Sequence, residues 1–132
     1  MNSIYGNYKN DVSFDQSKID QLVQLGNDIK EDVVSQLIEV HFETSEDCLQ
    51  RMESDLKNLD FPKIKSAAHK LKSSCGTLGL NKLHSLCHGL EDYINKNSAE
   101  TFLVKTYVDC IVFEYNETKK NLWKFTKIKV GA

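Results

Sequence analysis

Apolar residues return every three or four positions along most of this chain, a spacing that predicts helices. Ile19, Leu22, Val23 and Leu25 mark a short first helix from about Asp15 to Leu25, with Gly26 as its stop signal. Asp28 and Glu31 make a capping box ahead of a long second helix, striped by Val33, Val34, Leu37, Ile38, His41, Cys48, Leu49, Met52 and Leu56. Asp60 and Pro62 stop that helix and start a third, because proline is accepted in a first turn and rejected further in. Ile64, Ala67, Ala68, Leu71, Cys75 and Leu78 line the third helix as far as Gly79; Leu80, Leu83, Leu86, Cys87, Leu90 and Ile94 line a fourth. Ser98 is the expected cap of a fifth, whose apolar positions Val104, Tyr107, Val108, Ile111, Tyr115, Leu122 and Phe125 persist for about seven turns.

Four long amphipathic helices on short connections predict an all-α fold: an antiparallel up-down-up-down four-helix bundle with the short N-terminal helix as a cap across one end. Residues 1–12 are polar and aperiodic and read as a flexible N-terminal arm, leaving 13–132 as one bundle domain. Composition supports this picture, since one proline in 132 residues leaves few turns for reversing strands. Lys+Arg 17 against Asp+Glu 19 gives no overall pull toward nucleic acid or an anionic membrane. Lys119, Lys120, Lys124, Lys127 and Lys129 suit the C-terminal dipole of the last helix.

No segment approaches the roughly 18 apolar residues of a membrane span, and the first twenty lack the apolar core of a signal peptide. A cytoplasmic location and a monomer are expected, and the starting Met1 with its polar arm suggests a free-standing chain. Cys48, Cys75, Cys87 and Cys110 have no CxxC pairing and read as small apolar residues in a reducing compartment.

Helical phase shows which side chains are left for chemistry. With the third helix's apolar stripe at zero, His69 falls at about 140°, Lys65 at about 100°, Lys72 at about 80°, Gly76 at about 120° and Ser73 at about 180°. His69 therefore stands outside the core between two lysines, beside two small residues. A neutral imidazole is a good nucleophile near neutral pH, and an ammonium one turn away offsets the charge of a phosphoryl group bound to it. Ser73 and Gly76 keep the approach open for a partner protein. If the third and fourth helices reverse near residue 80, His69 lies level with Glu91, whose carboxylate accepts the Nδ1 hydrogen and leaves Nε2 outward. The plainer readings are a solvated surface histidine flanked by lysines and a Glu91 that is merely exposed or paired with Lys72.

The run His69-Lys70-Leu71-Lys72-Ser73-Ser74-Cys75-Gly76-Thr77-Leu78-Gly79 resembles the signature of histidine-containing phosphotransfer (HPt) domains, roughly H-x-L-K-[GS]-[SA]-x-x-x-[LIV]-G. The resemblance implies a bundle in which His69 accepts a phosphoryl group from a receiver-domain aspartate and gives it to another receiver. Lys72 then steadies the phosphoryl charge and Glu91 orients the imidazole. Ser73 stands for the commoner Gly, and Glu91 for the Gln of many members; a carboxylate there makes the imidazole more basic and repels a bound phosphoryl group. The implied partners are receivers of a hybrid histidine kinase and of a response regulator. They are expected to dock around His69, Lys65, Ser73 and Gly76 and on exposed Ile19 and Leu22 of the cap helix, the plainer reading of these two being that they simply seal the bundle end. No cofactor is implied on this domain, since Mg²⁺ belongs to the receiver; the chain is a carrier without kinase activity of its own.

Two other readings compete. His84, Cys87 and His88 share i, i+3, i+4 spacing and offer metal ligands, although Cys87 points with the core stripe. A non-catalytic interaction scaffold explains the bundle but leaves the His69 motif as coincidence. His41, inside an apolar stripe, is expected to be a core or edge histidine bonded to backbone.

Overall fold

A computed structural model describes residues 2–8, 13–96 and 98–131, with side chains described at 4, 6–8, 13–96 and 98–123. Helix α1 spans Asn2–Tyr8, α2 Gln16–Ile29, α3 Val33–Lys57, α4 Phe61–Leu78, α5 Asn81–Asn95 and α6 Thr101–Gly131. Helices α3 to α6 form the antiparallel bundle. Both α4 and α6 pack against α3 and α5 but not against each other, so they occupy opposite corners. Helix α2 lies over α3 and α4, and α1 over α5 and α6. Ile38, Met52, Ile64, Leu71, Leu83, Leu86, Leu90 and Ile111 are fully buried between the four long helices. Cutting any one of these large side chains to Ala costs about 2–5 kcal/mol. The four cysteines are free and buried, and no helix among the described residues is long and apolar enough to cross a membrane.

The helix that carries His69 is bounded by strong local signals. The Asp60 carboxylate accepts from the Lys63 N–H at 3.2 Å, with Pro62 in the first turn. At the other end Gly79 takes φ 67°, in the left-handed region that favours glycine. Its carbonyl also accepts from the Asp15 N–H at 2.8 Å, so the stop of α4 is at the same time the seat of α2.

Four details differ from the sequence expectation. The N-terminal residues are not a bare arm: α1 buries Ile4, and its Tyr8 hydroxyl reaches Tyr107 over Gly89, where any Cβ would strike it. A seven-residue helix carries too little periodicity to be read locally and is held by packing; residues 1 and 9–12 of that expected arm lie outside the described residues. Gly26 does not stop α2, which continues to Ile29. Gly26 is needed where the chain doubles back, since a Cβ there would sit 2.5 Å from the Glu31 carbonyl oxygen. The cap of α3 is Asp32, accepting from the Ser35 N–H, whereas Asp28 lies in α2 and accepts from Gln24. Finally, α6 starts at Thr101, three residues beyond the expected cap Ser98.

His41 is buried as expected and meets Ser74 through its backbone as well as its side chain: Ser74 Oγ lies 2.8 Å from Nδ1, and Ser45 Oγ lies 3.2 Å from Nε2. Burial pushes its pKa down to about 4, so the ring is neutral near pH 7. On α6, Lys119 pairs with Glu46 at 2.6 Å and Lys120 with Glu117 at 3.3 Å. The side chains of Lys124, Phe125, Lys127 and Lys129 lie outside the described residues.

Candidate functional site

His69 sits in the middle of α4 with its side chain 63% exposed, and Glu91 of α5 faces it with only 10% exposed. The Glu91 Oε2 lies 3.0 Å from His69 Nδ1. An ionised carboxylate only accepts, so Nδ1 carries the hydrogen, and in the neutral ring this leaves the lone pair on Nε2. Glu91 is ionised at neutral pH: burial pushes its carboxyl up, but the Lys72 ammonium and the His69 N–H outweigh burial and hold it below its ordinary value.

Lys72 lies one turn along α4 from His69, with its Nζ 2.9 Å from Glu91 Oε1 and its side chain 19% exposed. The contact is an ion pair to the carboxylate oxygen that His69 leaves free. In this resting arrangement the ammonium is paired with Glu91. It neutralises a carboxylate that is almost out of water, where an unpaired charge is costly. The three residues singled out for chemistry therefore meet in one cluster, bridged by Glu91.

The other expected positions divide. Ser73 is exposed, one turn above His69, and its hydroxyl donates back to the His69 carbonyl at 3.1 Å, so it projects little. Gly76 is exposed, and nothing lies within 4 Å of where its Cβ would be. Lys65 is half-buried one turn below His69. Ile19 is not available to a partner: it is fully buried, because α2 turns that face down onto the bundle end, and Leu22 is half-buried beside it. The apolar residues that α2 does leave out are Val23, Leu25 and Ile29.

A groove of about 330 Å³ between α3 and α4 reaches the same surface through Ser73. Leu37, Val40, Thr44 and Thr77 also line it, and Val40 is 58% exposed. Val40 was not singled out from the sequence, although an apolar side chain off its helix's buried stripe was a legible signal. His84 belongs to this neighbourhood too, within electrostatic reach of Lys72 and Glu91; burial and the Lys72 charge lower its pKa. Among the described residues no group of three His, Cys, Asp or Glu side chains is placed to hold a metal. The His84, Cys87, His88 triplet is split, with Cys87 in the core, His84 exposed and His88 3.3 Å from Asp92.

Comparison with known proteins agrees with this geometry. A 79-residue stretch is 29% identical to "Multistep phosphorelay regulator 1" of Schizosaccharomyces pombe, covering 60% of this chain and 27% of that protein. A 105-residue stretch is 28% identical to "Phosphorelay intermediate protein YPD1" of Candida albicans, covering 77% of this chain and 56% of that one. The chain thus spans about a quarter and about half the length of these relatives. The crystal structure assigned to a histidine-containing phosphotransfer protein from rice superposes with a TM-score of 0.77, over 98% of this chain and 92% of that chain; at 13% identity it bears on the fold alone. The family model for the Hpt domain matches residues 36–104, the stretch from α3 into α6 that holds His69, Lys72 and Glu91, and the chain belongs to that family.

Proposed function

We propose that the chain is a phosphorelay intermediate whose His69 takes a phosphoryl group from the aspartyl phosphate of one receiver domain and passes it to the aspartate of another. The observation that carries this reading is the Nδ1 contact to Glu91, which leaves Nε2 unprotonated and outward on a rigid helix. The Nε2 lone pair attacks phosphorus in line with the acyl oxygen, and the receiver's carboxylate leaves. The residues of this chain position the ring and balance charge; Mg²⁺ bound by the receiver supplies the screening of the phosphoryl oxygens. Once the phosphoryl group is in place, Lys72 is one turn away and swings between Glu91 and the new dianion.

The partners on this reading are receivers of a hybrid histidine kinase and of a response regulator, docking over His69, Lys65, Ser73 and Gly76 and into the groove at Val40. The chain works as a cytoplasmic monomer with no kinase activity of its own, a location that suits four buried free cysteines. The test is to incubate the protein with a phosphorylated receiver and Mg²⁺. The expected result is an acid-labile, base-stable phosphate on wild type and none on His69→Gln; equal labelling of both overturns the reading.

A further inference from the structure

The contact that orients His69 also governs the ring after it is phosphorylated. In the step described above, Nε2 gains a bond to phosphorus and the acyl oxygen takes the bonding pair away as carboxylate. The Nδ1 hydrogen takes no part. The first product is therefore an imidazolium, with one positive charge on the ring and two negative charges on the phosphoryl group. Onward transfer breaks the nitrogen–phosphorus bond. With Nδ1 protonated the ring departs as neutral imidazole, and without that proton it departs as an anion, a far poorer leaving group.

We propose that Glu91 is a proton-holding residue, keeping Nδ1 of phosphorylated His69 protonated so that onward transfer persists into alkaline solution. This rests on His69 being the acceptor. Oε2 lies 3.0 Å from Nδ1, and the carboxylate is nearly excluded from water, so solvent competes little for it. A carboxylate stabilises an imidazolium with a full charge, whereas a carboxamide in the same place offers a dipole. Lys72 takes the other oxygen, Oε1, which leaves Oε2 to the ring.

The other groups near the ring, Lys65 one turn below His69 on α4 among them, are the same in wild type and variant and leave the sign unchanged. From α5, His84 is held below its ordinary value by burial and Cys87 well above its own, so both are neutral in mildly alkaline solution. His88 pairs with Asp92. From α6, Tyr107 is within electrostatic reach of Asp92, and burial raises its phenol, so it too is neutral there.

The test uses full-length wild type and Glu91→Gln, each labelled by a phosphorylated receiver and then freed of it. Transfer to a fresh receiver is timed from neutral to alkaline pH, and the receiver's own titration cancels in the ratio of the two proteins. The expected result is a wild-type rate that holds about one pH unit further into alkali than the variant's, the contact being partly exposed. Long-range proton–nitrogen NMR of the phosphorylated ring should show Nδ1 losing its hydrogen earlier in the variant. Coincident rate profiles and ring titrations overturn this inference and leave the acceptor reading standing. Failure of both proteins to take label overturns the two together.

Discussion

Replacing Gly76 separates room at the site from stability of the fold. Gly76 lies inside α4, and nothing is within 4 Å of the Cβ it lacks, so packing does not require glycine there. A helical Gly→Ala change gains up to about 1 kcal/mol, and rather less this close to the helix end, so about 0.5–1 kcal/mol is expected. With an unfolding entropy of about 2 cal/mol/K per residue, that raises Tm by about 2–4 °C for this chain. Gly76 is seven residues from His69, about 10 Å along the same face. A partner burying about 800 Å² on each side covers a radius of about 16 Å and so includes it. Gly76→Gln, also a good helix former, puts a long side chain under that footprint. Overpacking of about 1–3 kcal/mol then slows transfer from a phosphorylated receiver by roughly fivefold to a hundredfold. The assays are thermal unfolding by circular dichroism and the second-order rate of transfer for Ala and Gln variants. Lower stability in Gly76→Ala would show that the space is not open, and an unchanged transfer rate in Gly76→Gln would place the partner elsewhere.

Two further outcomes follow from the packing. Gly26→Ala forces a Cβ to 2.5 Å from the Glu31 carbonyl and should lower stability by about 1–3 kcal/mol in denaturant titration; an unchanged midpoint would contradict the close pass. His41, neutral in the fold with a pKa of about 4 against the ordinary 6.5, makes the unfolded chain bind more protons between those values. Its contribution is complete above about pH 6.5 and lost as pH falls toward about 4, at about 1.4 kcal/mol per unit and so up to about 3 kcal/mol. His41→Gln should flatten urea stability across that window, and an equally steep fall in the variant would refute the assignment.

What the sequence showed about this molecule was what local chemistry decides. Asp60, Pro62 and Gly79 bound α4 because caps, a first-turn proline and a left-handed glycine act within a few residues. The reversal at residue 80 then set the register that brings Glu91 to His69, and the observed 3.0 Å contact follows from it. Tertiary packing decided the rest. Ile19 looked available because an apolar stripe does not say what it faces, and only the seat of α2 on Gly79 shows that it is covered. Helix α1 was missed because seven residues gain their order from Tyr8 and Ile4 packing on α5 and α6. The i, i+3 relation put Lys72 beside His69 and left a salt bridge to Glu91 open; phase places a lysine's stem and not its flexible end, which here reaches Glu91.

The most direct test of the central claim mixes two receiver domains, only one carrying labelled phosphate, with and without catalytic amounts of this protein. The account predicts that wild type moves label from the first receiver to the second, through a transient base-stable phosphate on His69, and that His69→Gln moves none. Label reaching the second receiver equally fast with His69→Gln, or remaining on the first with wild type, would contradict it.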